Sequence, residues 1–234
     1  MKRRTFIQFC AAAAGASGIA APALPARDAR PRRYARTLLE DAQGRPLRAS
    51  RVPVERNLIF HYPYAATPCF LLNLGRAIGA PAQLKTAEDG VYEWPGGIGP
   101  QRSIVAYSAI CAHQLTYPTR EISFISYRTE KSAQNRFENV IHCCSEHSQY
   151  DPAQGARVLA GPAPQPLAAI LLEHDTADDA LYAVGTLGGE MFNAFFAKYA
   201  FRLSLERGDA ARDATGAATR VTPLDDYCRQ QVRC

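Results

Sequence analysis

The chain has 234 residues, of which 47% are hydrophobic, a share that supports a packed core and excludes a disordered chain. Sixteen glycines and 16 prolines predict frequent turns, which argues against a helical bundle, a coiled coil or a helical solenoid. The formal net charge is +5, but 24 basic and 22 acidic residues remain once residues 1–26 are set aside. Nucleic acid is therefore not an expected partner.

Residues 1–26 carry the features of an export signal. Three basic residues at 2–4 precede an uncharged stretch that is rich in alanine and glycine and ends in small residues before Arg27. The paired arginines followed by Thr-Phe-Ile are similar to a twin-arginine signal. We expect export to the periplasm, with this segment either cleaved or retained as an anchor in the inner membrane.

Beyond a basic linker at 27–35, short apolar runs alternate with turn residues, a pattern that predicts many short strands. The pattern predicts strands at 52–54, 58–62, 69–74 and 103–107, a closing hairpin at 167–172 and 180–184, and a short helix or packed loop at 189–200. Residues 206–234 form a polar tail, and its Ala- and Gly-rich part at 206–220 predicts disorder. These elements indicate an all-β sandwich or barrel.

Two short segments combine thiols with imidazoles. Cys111 and His113 form a Cys-x-His motif, and Cys144 and His147 form a Cys-x-x-His motif that directly follows Cys143. If the two loops converge, they offer two sulfur and two nitrogen donors. This set suits a [2Fe–2S] cluster with one iron held by thiolates and the other by neutral imidazoles, which raises the reduction potential. Structural zinc is an alternative occupant of the same donor set.

In their combination, these motifs resemble the Rieske iron–sulfur proteins. The family's ligand pattern maps onto Cys111, His113, Cys144 and His147. The resemblance implies one [2Fe–2S] cluster per chain and a role in one-electron transfer, with no catalytic residues of the chain's own.

Residues that follow the second motif match the family as well. Ser148 and Tyr150 stand where hydrogen-bond donors to sulfur are expected. Pro162 and Pro164 lie in a Gly-Pro-Ala-Pro segment that resembles the loop shielding the family's cluster from water. The resemblance therefore extends over roughly residues 50–200.

The resemblance also implies a fold and a domain organisation. We expect a Rieske-type antiparallel β sandwich over residues 36–205, with its base formed by 36–105 and 166–205. A smaller cluster-binding subdomain at about 106–165 is expected to be inserted into this base.

The segment before Cys111 and the twin-arginine leader resemble the small subunit of arsenite oxidase most. This implies a periplasmic subunit that receives electrons from a larger redox subunit, such as a molybdopterin enzyme, and passes them to a cytochrome c-like acceptor. One alternative is a quinol-oxidising subunit of a cytochrome bc-like complex, which requires a retained membrane anchor. Another is a zinc-stabilised or cluster-free binding module.

The second motif is ambiguous in register. Counting back from Tyr150 puts the family's cysteine on Cys143, whereas counting back from His147 puts it on Cys144. The tight Cys-x-x-His spacing favours Cys144 and makes Cys143 a spare thiol and the alternative ligand. His142 lies outside the ligand spacing and is interpreted as a neighbouring polar residue.

The chain also departs from the family in its cysteines. In many members each cluster loop carries a further cysteine and the two form a disulfide, but the corresponding positions here are Thr116 and Glu146. In an oxidising compartment the remaining thiols can pair elsewhere. A disulfide is expected within the set Cys69, Cys143, Cys228 and Cys234.

Overall fold

The computed structural model describes residues 29–79 and 81–234. The predicted export signal therefore lies outside the described residues. The predicted linker at 27–35 is too long, because a strand already begins at Arg32. In the described part of the chain, no helix is both long and apolar enough to cross a membrane.

The described residues form short strands and three short helices, which confirms the predicted all-β class. The strands are β1 (Arg32–Glu40), β2 (Leu58–His61), β3 (Pro68–Asn73), β4 (Ala82–Lys85), β5 (Val91–Trp94), β6 (Ile104–Ser108), β7 (Ile122–Ser123), β8 (Ile125–Arg128), β9 (Val140–Cys143), β10 (Ser148–Asp151), β11 (Arg157–Ala160), β12 (Ala169–Asp175), β13 (Ala180–Leu187), β14 (Ala218–Arg220), β15 (Thr222–Pro223) and β16 (Gln230–Gln231). The helices are α1 (Phe192–Lys198), α2 (Ala200–Arg207) and α3 (Leu224–Tyr227).

Eight strands form the large sheet, in the order β14-β1-β13-β12-β6-β3-β2-β15. Its pairs are antiparallel except for β1 with β14, so the sheet is mixed rather than purely antiparallel. The hairpin β12–β13 is the closing hairpin that the sequence predicts. Apolar side chains of alternate residues fill a core on one face of this sheet, with Phe60, Leu71 and Ala106 among its members.

One segment near the end of the chain covers both edges of the large sheet. Strand β14 pairs with β1, and β15, two residues later, pairs with β2. The predicted disorder of 206–220 is therefore wrong. The composition is polar on average, but Val221 and Leu224 are buried and anchor the segment, and the exposed edges supply its backbone partners.

The four-stranded sheet β11-β10-β9-β8 is an antiparallel meander inserted between β6 and β12. This position confirms the predicted insertion. Its inner face carries Ile125, Ile141 and Tyr150, which share one core with Phe70 and Tyr107 of the large sheet. The two sheets thus pack face to face. The first cysteine loop, which carries Cys111, and the second, which carries Cys143 and Cys144, lie at the edge of their shared core.

Helices α1 and α2 cover the first cysteine loop. Phe192, Phe195 and Phe196 follow a helical spacing and are buried. Phe195 contacts Tyr117 edge to face, with 4.9 Å between ring centroids. The helical alternative predicted for 189–200 is therefore the one observed.

Candidate metal centre

The first loop follows β6 and folds as a tight turn around Cys111. The carbonyl oxygen of Cys111 accepts from Leu115 N–H at 2.9 Å, and the Cys111 N–H donates to Thr116 O at 2.8 Å. The Cys111 side chain is fully buried, and His113 is half-buried beside it. The Nδ1 atom of His113 is buried and has no hydrogen-bond partner among the described residues. A buried imidazole nitrogen without a partner is free to bind a metal.

The second loop is the turn of the β9–β10 hairpin, in which Cys143 pairs with Ser148. Cys143 is buried on the inner face, whereas Cys144 is partly exposed and donates its N–H to Phe124 O at 2.6 Å. His147 closes the turn with a φ of 58° and is exposed. Because side chains alternate along an extended strand, the two adjacent cysteines point to opposite faces.

The structure separates the two adjacent cysteines. Cys143 is buried in the same core as Cys111 and interacts with its side chain, whereas Cys144 lies on the outer face of the hairpin, next to Cys234. The β9–β10 pairing thus places Cys143, with Tyr150, on the core side. Which of the two cysteines binds a metal stays a prediction.

Tyr150 approaches the thiol pair from the fully buried side of the hairpin. Its hydroxyl lies 3.3 Å from Cys111 Sγ and accepts from Ala112 N–H at 3.2 Å. Because the Tyr150 oxygen accepts the hydrogen bond from Ala112 N–H, its own proton can be donated to another atom. The Tyr150 hydroxyl is thus placed to donate to Cys111 Sγ.

These contacts favour a thiolate at Cys111. The interaction with Cys143 lowers the pKa of Cys111, helped by the Tyr150 hydroxyl and by backbone hydrogen bonds from His113 and Gln114, against the opposing effect of burial. The Cys111 partner and burial raise the pKa of Cys143. The two shifts have opposite directions, so Cys111 is the thiol of the pair that ionises more readily.

The proline-containing segment lies directly on the second loop through its glycine. A Cβ atom at Gly161 would lie 2.5 Å from Ser148 Cα and 2.6 Å from His147 O. Pro162 and Pro164, expected to form the shield, are exposed, so the backbone at Gly161 makes the contact instead. The Ser148 hydroxyl is buried beneath it and has no hydrogen-bond partner within the described ranges.

A second thiol and imidazole group lies on the other face of the hairpin. His142 is fully buried, and its ring nitrogens lie 3.6 and 3.7 Å from Cys234 Sγ. Donor atoms of His142, Cys144 and Cys234 all lie within 4.8 Å of one another. The His147 ring lies 5.7 Å from the His142 ring. One of the four predicted ligands, Cys144, therefore lies in this outer group, whereas His147 lies at the exposed turn of the hairpin.

The sequence interpretation missed the proximity of Cys234 to Cys144. None of the expected pairings among Cys69, Cys143, Cys228 and Cys234 is seen, and Cys69, Cys143 and Cys228 are free thiols. Cys144 was excluded from that set because it was treated as a ligand. The available signal was the alternation of side chains through His142 and Cys143 at the end of β9 and Cys144 directly after it, since only one of two adjacent cysteines can face the core.

No family model matches this chain. Among solved structures, the chain is similar to the soluble domain of the Rieske protein II (soxF) from Sulfolobus acidocaldarius. The two are 24% identical, with a TM-score of 0.46, and the match covers 68% of this chain and 82% of that one.

Proposed function

We propose that this protein transfers single electrons through a Rieske-type [2Fe–2S] cluster. The observation that carries the proposal is the buried pair of thiols at Cys111 and Cys143, with the Tyr150 hydroxyl beside it. The unpartnered Nδ1 of His113 belongs to the same loop as Cys111. Two thiolates with an adjacent imidazole suit iron in a mixed sulfur and nitrogen coordination.

In this proposal, Cys111 and Cys143 supply the thiolates and His113 supplies one imidazole. His147, exposed at the tip of the same hairpin, supplies the second. When bound, such a cluster accepts and releases one electron at a potential of about −150 to +300 mV. Cys144 takes no part in the ligand set.

The chain's own residues set the surroundings of this centre. The Tyr150 hydroxyl and the N–H groups of Ser145 and Glu146 point to the sulfurs of the thiol pair. Donors to sulfur stabilise the more negative, reduced state and raise the potential. The Gly161 backbone lies directly against the second loop at His147 and Ser148.

The cellular role follows the sequence resemblance. We propose export by the twin-arginine route and a partnership with a larger redox subunit, such as a molybdopterin enzyme, and a cytochrome c-like acceptor, as in arsenite oxidase. A quinol-oxidising subunit of a cytochrome bc-like complex is the second candidate. Fractionation of the source cells separates the two, since a periplasmic protein supports the first candidate and a membrane-anchored one the second.

The cluster is tested by reconstitution of the full chain with iron and sulfide under anaerobic conditions. We expect two irons and two acid-labile sulfides per chain, and a reduced spectrum in electron spin resonance with an average g value below 2. Cys143→Ser should abolish the signal, whereas the adjacent Cys144→Ser should retain it. A colourless protein without acid-labile sulfide, or one that binds zinc in preference, would contradict the proposal.

A further inference from the structure

We propose that a pocket beside His61 binds a phosphate-like oxyanion. The pocket has a volume of about 350 Å³ and lies between β2, the segment that forms β14 and β15, and α3. This volume is at the lower end of the range of small-molecule sites. None of the residues assigned to the proposed cluster lines the pocket, so the proposal does not rest on the proposed function.

Three guanidinium groups from separate parts of the chain converge on this pocket. Arg120 and Arg220 line it, and Arg207 Nη2 lies 3.1 Å from the Nε2 atom of His61, which also lines it. The guanidinium carbon of Arg120 lies 4.5 Å from the centroid of the Tyr227 ring. Within the described residues, none of the three arginines forms an ion pair with a carboxylate.

The acidic residues nearby do not neutralise this charge. Glu40 is the one acidic side chain among the described residues that line the pocket. Glu206 precedes Arg207 in the chain, but its carboxylate pairs with Arg202 at 2.7 Å. Because like charges repel, an anion held between the three guanidinium groups would stabilise their arrangement. Arginine also matches the geometry of phosphate oxygens, since its planar group donates two parallel hydrogen bonds.

His61 and Tyr227 form the inner end of the pocket. A guanidinium group can only donate, so His61 Nε2 accepts from Arg207 and the imidazole is neutral. The Tyr227 hydroxyl lies 3.3 Å from the same nitrogen. Burial, together with Arg207 and Arg120, lowers the pKa of His61 to about 3, which agrees with a positive potential at this point. His61 thus positions Arg207 without adding a charge of its own.

Calorimetric titration of the full chain with sodium phosphate tests the site, in a chloride buffer of matched ionic strength. We expect one phosphate to bind per chain, and Arg120→Gln and Arg220→Gln each to weaken binding by about tenfold or more, as for the loss of a charge-assisted hydrogen bond. Both side chains are exposed, so their replacement should leave the core intact, which circular dichroism checks.

The matched control is Arg136→Gln. Arg136 is exposed on the connection between β8 and β9, outside the pocket, and its loss changes the net charge by the same amount. We expect this variant to bind phosphate as the wild type does. Absence of binding in the wild type, or equal binding in all three variants, would overturn the proposal, because a general effect of net charge would then account for the result.

Nuclear magnetic resonance locates the anion. Phosphate should shift the ring signals of His61, which are identified by their absence in His61→Gln, and the shift should be lost in Arg220→Gln. Phosphate binding that leaves these signals unmoved would place the anion elsewhere and overturn the proposal.

A free anion and a phospholipid headgroup share this chemistry. Sedimentation with vesicles of phosphatidylglycerol and phosphatidylcholine distinguishes them. Vesicle binding that Arg220→Gln abolishes supports the site and identifies a headgroup. Phosphate binding without vesicle binding supports the site and identifies a free anion.

Discussion

Replacement of Gly161 by alanine tests whether the proline-containing segment holds the second loop in place. The new Cβ would lie 2.5 Å from Ser148 Cα, 2.6 Å from His147 O and 2.8 Å from Ser148 N. All three are backbone atoms of the hairpin, so no flexible side chain can move aside. Gly161 also has a φ of +89°, in the region that L residues disfavour.

The two effects add to a measurable loss. The positive φ costs about 1–2 kcal/mol and the forced overlap about 1–3 kcal/mol, which together reduce the free energy of unfolding by about 2–5 kcal/mol. For a chain of this size, that loss lowers the melting temperature by about 4–20 °C. Reconstituted Gly161→Ala should also hold less acid-labile sulfide than the wild type, because the loop that carries Cys143 is displaced.

Thermal unfolding and denaturant titration of the full chain measure the loss. Gly216→Ala is the matched control, because nothing lies within 4 Å of its Cβ position and its φ is outside the left-handed region. We expect Gly216→Ala to change the free energy of unfolding by less than about 1 kcal/mol. If Gly161→Ala behaves like this control, the segment does not rest on the hairpin and the reasoning is refuted.

Three further predictions concern single side chains. Tyr150→Phe removes the hydroxyl beside Cys111 and should lower the reduction potential by about 40–60 mV in a redox titration, the equivalent of about 1–1.5 kcal/mol. Burial, with the nearby arginines, lowers the pKa of His61 to about 3, so the unfolded chain binds more protons between pH 6.5 and 3. Stability should therefore fall as the pH decreases through that range, and His61→Gln should flatten the profile. Gln165→Ala removes two hydrogen bonds to backbone groups, one buried and one partly buried, and should lower the free energy of unfolding by about 1–3 kcal/mol in denaturant titration.

Each of these predictions has a control. Tyr107→Phe removes a hydroxyl that donates to Pro152 O instead of a thiol and should leave the potential unchanged. Equal shifts for Tyr150→Phe and Tyr107→Phe would mean that the Tyr150 hydroxyl does not act on the sulfur. An unchanged pH profile in His61→Gln, or wild-type stability in Gln165→Ala, would likewise contradict the contacts described.

The sequence predicts the frame of this fold well where apolar runs are strong. The runs at 58–62 and 69–74 become β2 and β3, and the closing hairpin becomes β12 and β13, because buried alternate residues determine both burial and pairing. The run at 52–54 forms no strand: its first residue ends a short 3₁₀ turn, and Val54 makes an isolated bridge. An apolar run of only three residues is too short to predict a strand, because the adjacent turn determines the backbone conformation there.

The sequence singled out residues that the structure brings close together at the candidate site. Cys111 and His113 lie on one loop, and the Tyr150 hydroxyl lies beside Cys111 Sγ. The role of Cys111 and His113 as metal ligands stays a prediction. The register of the second loop was not predictable from the Cys-x-x-His spacing, because a turn absorbs an extra residue, whereas the strand that carries Cys143 cannot. The sequence also could not predict the contacts of residues 218–234. These residues pair with strand edges and carbonyl groups that come from distant parts of the chain.

The inserted meander has a consequence for the order of folding. Strands β8 to β11 pair with their neighbours in sequence, so we expect them to form early. The large sheet must instead bring β1 to β13, and its edges wait for β14 and β15, which are synthesised near the end of the chain. We therefore expect the sheet that carries Cys143 to fold before the large sheet that leads to Cys111. On this expectation the thiol pair is assembled only when the two sheets pack together, and the time course of iron uptake during refolding measures that step.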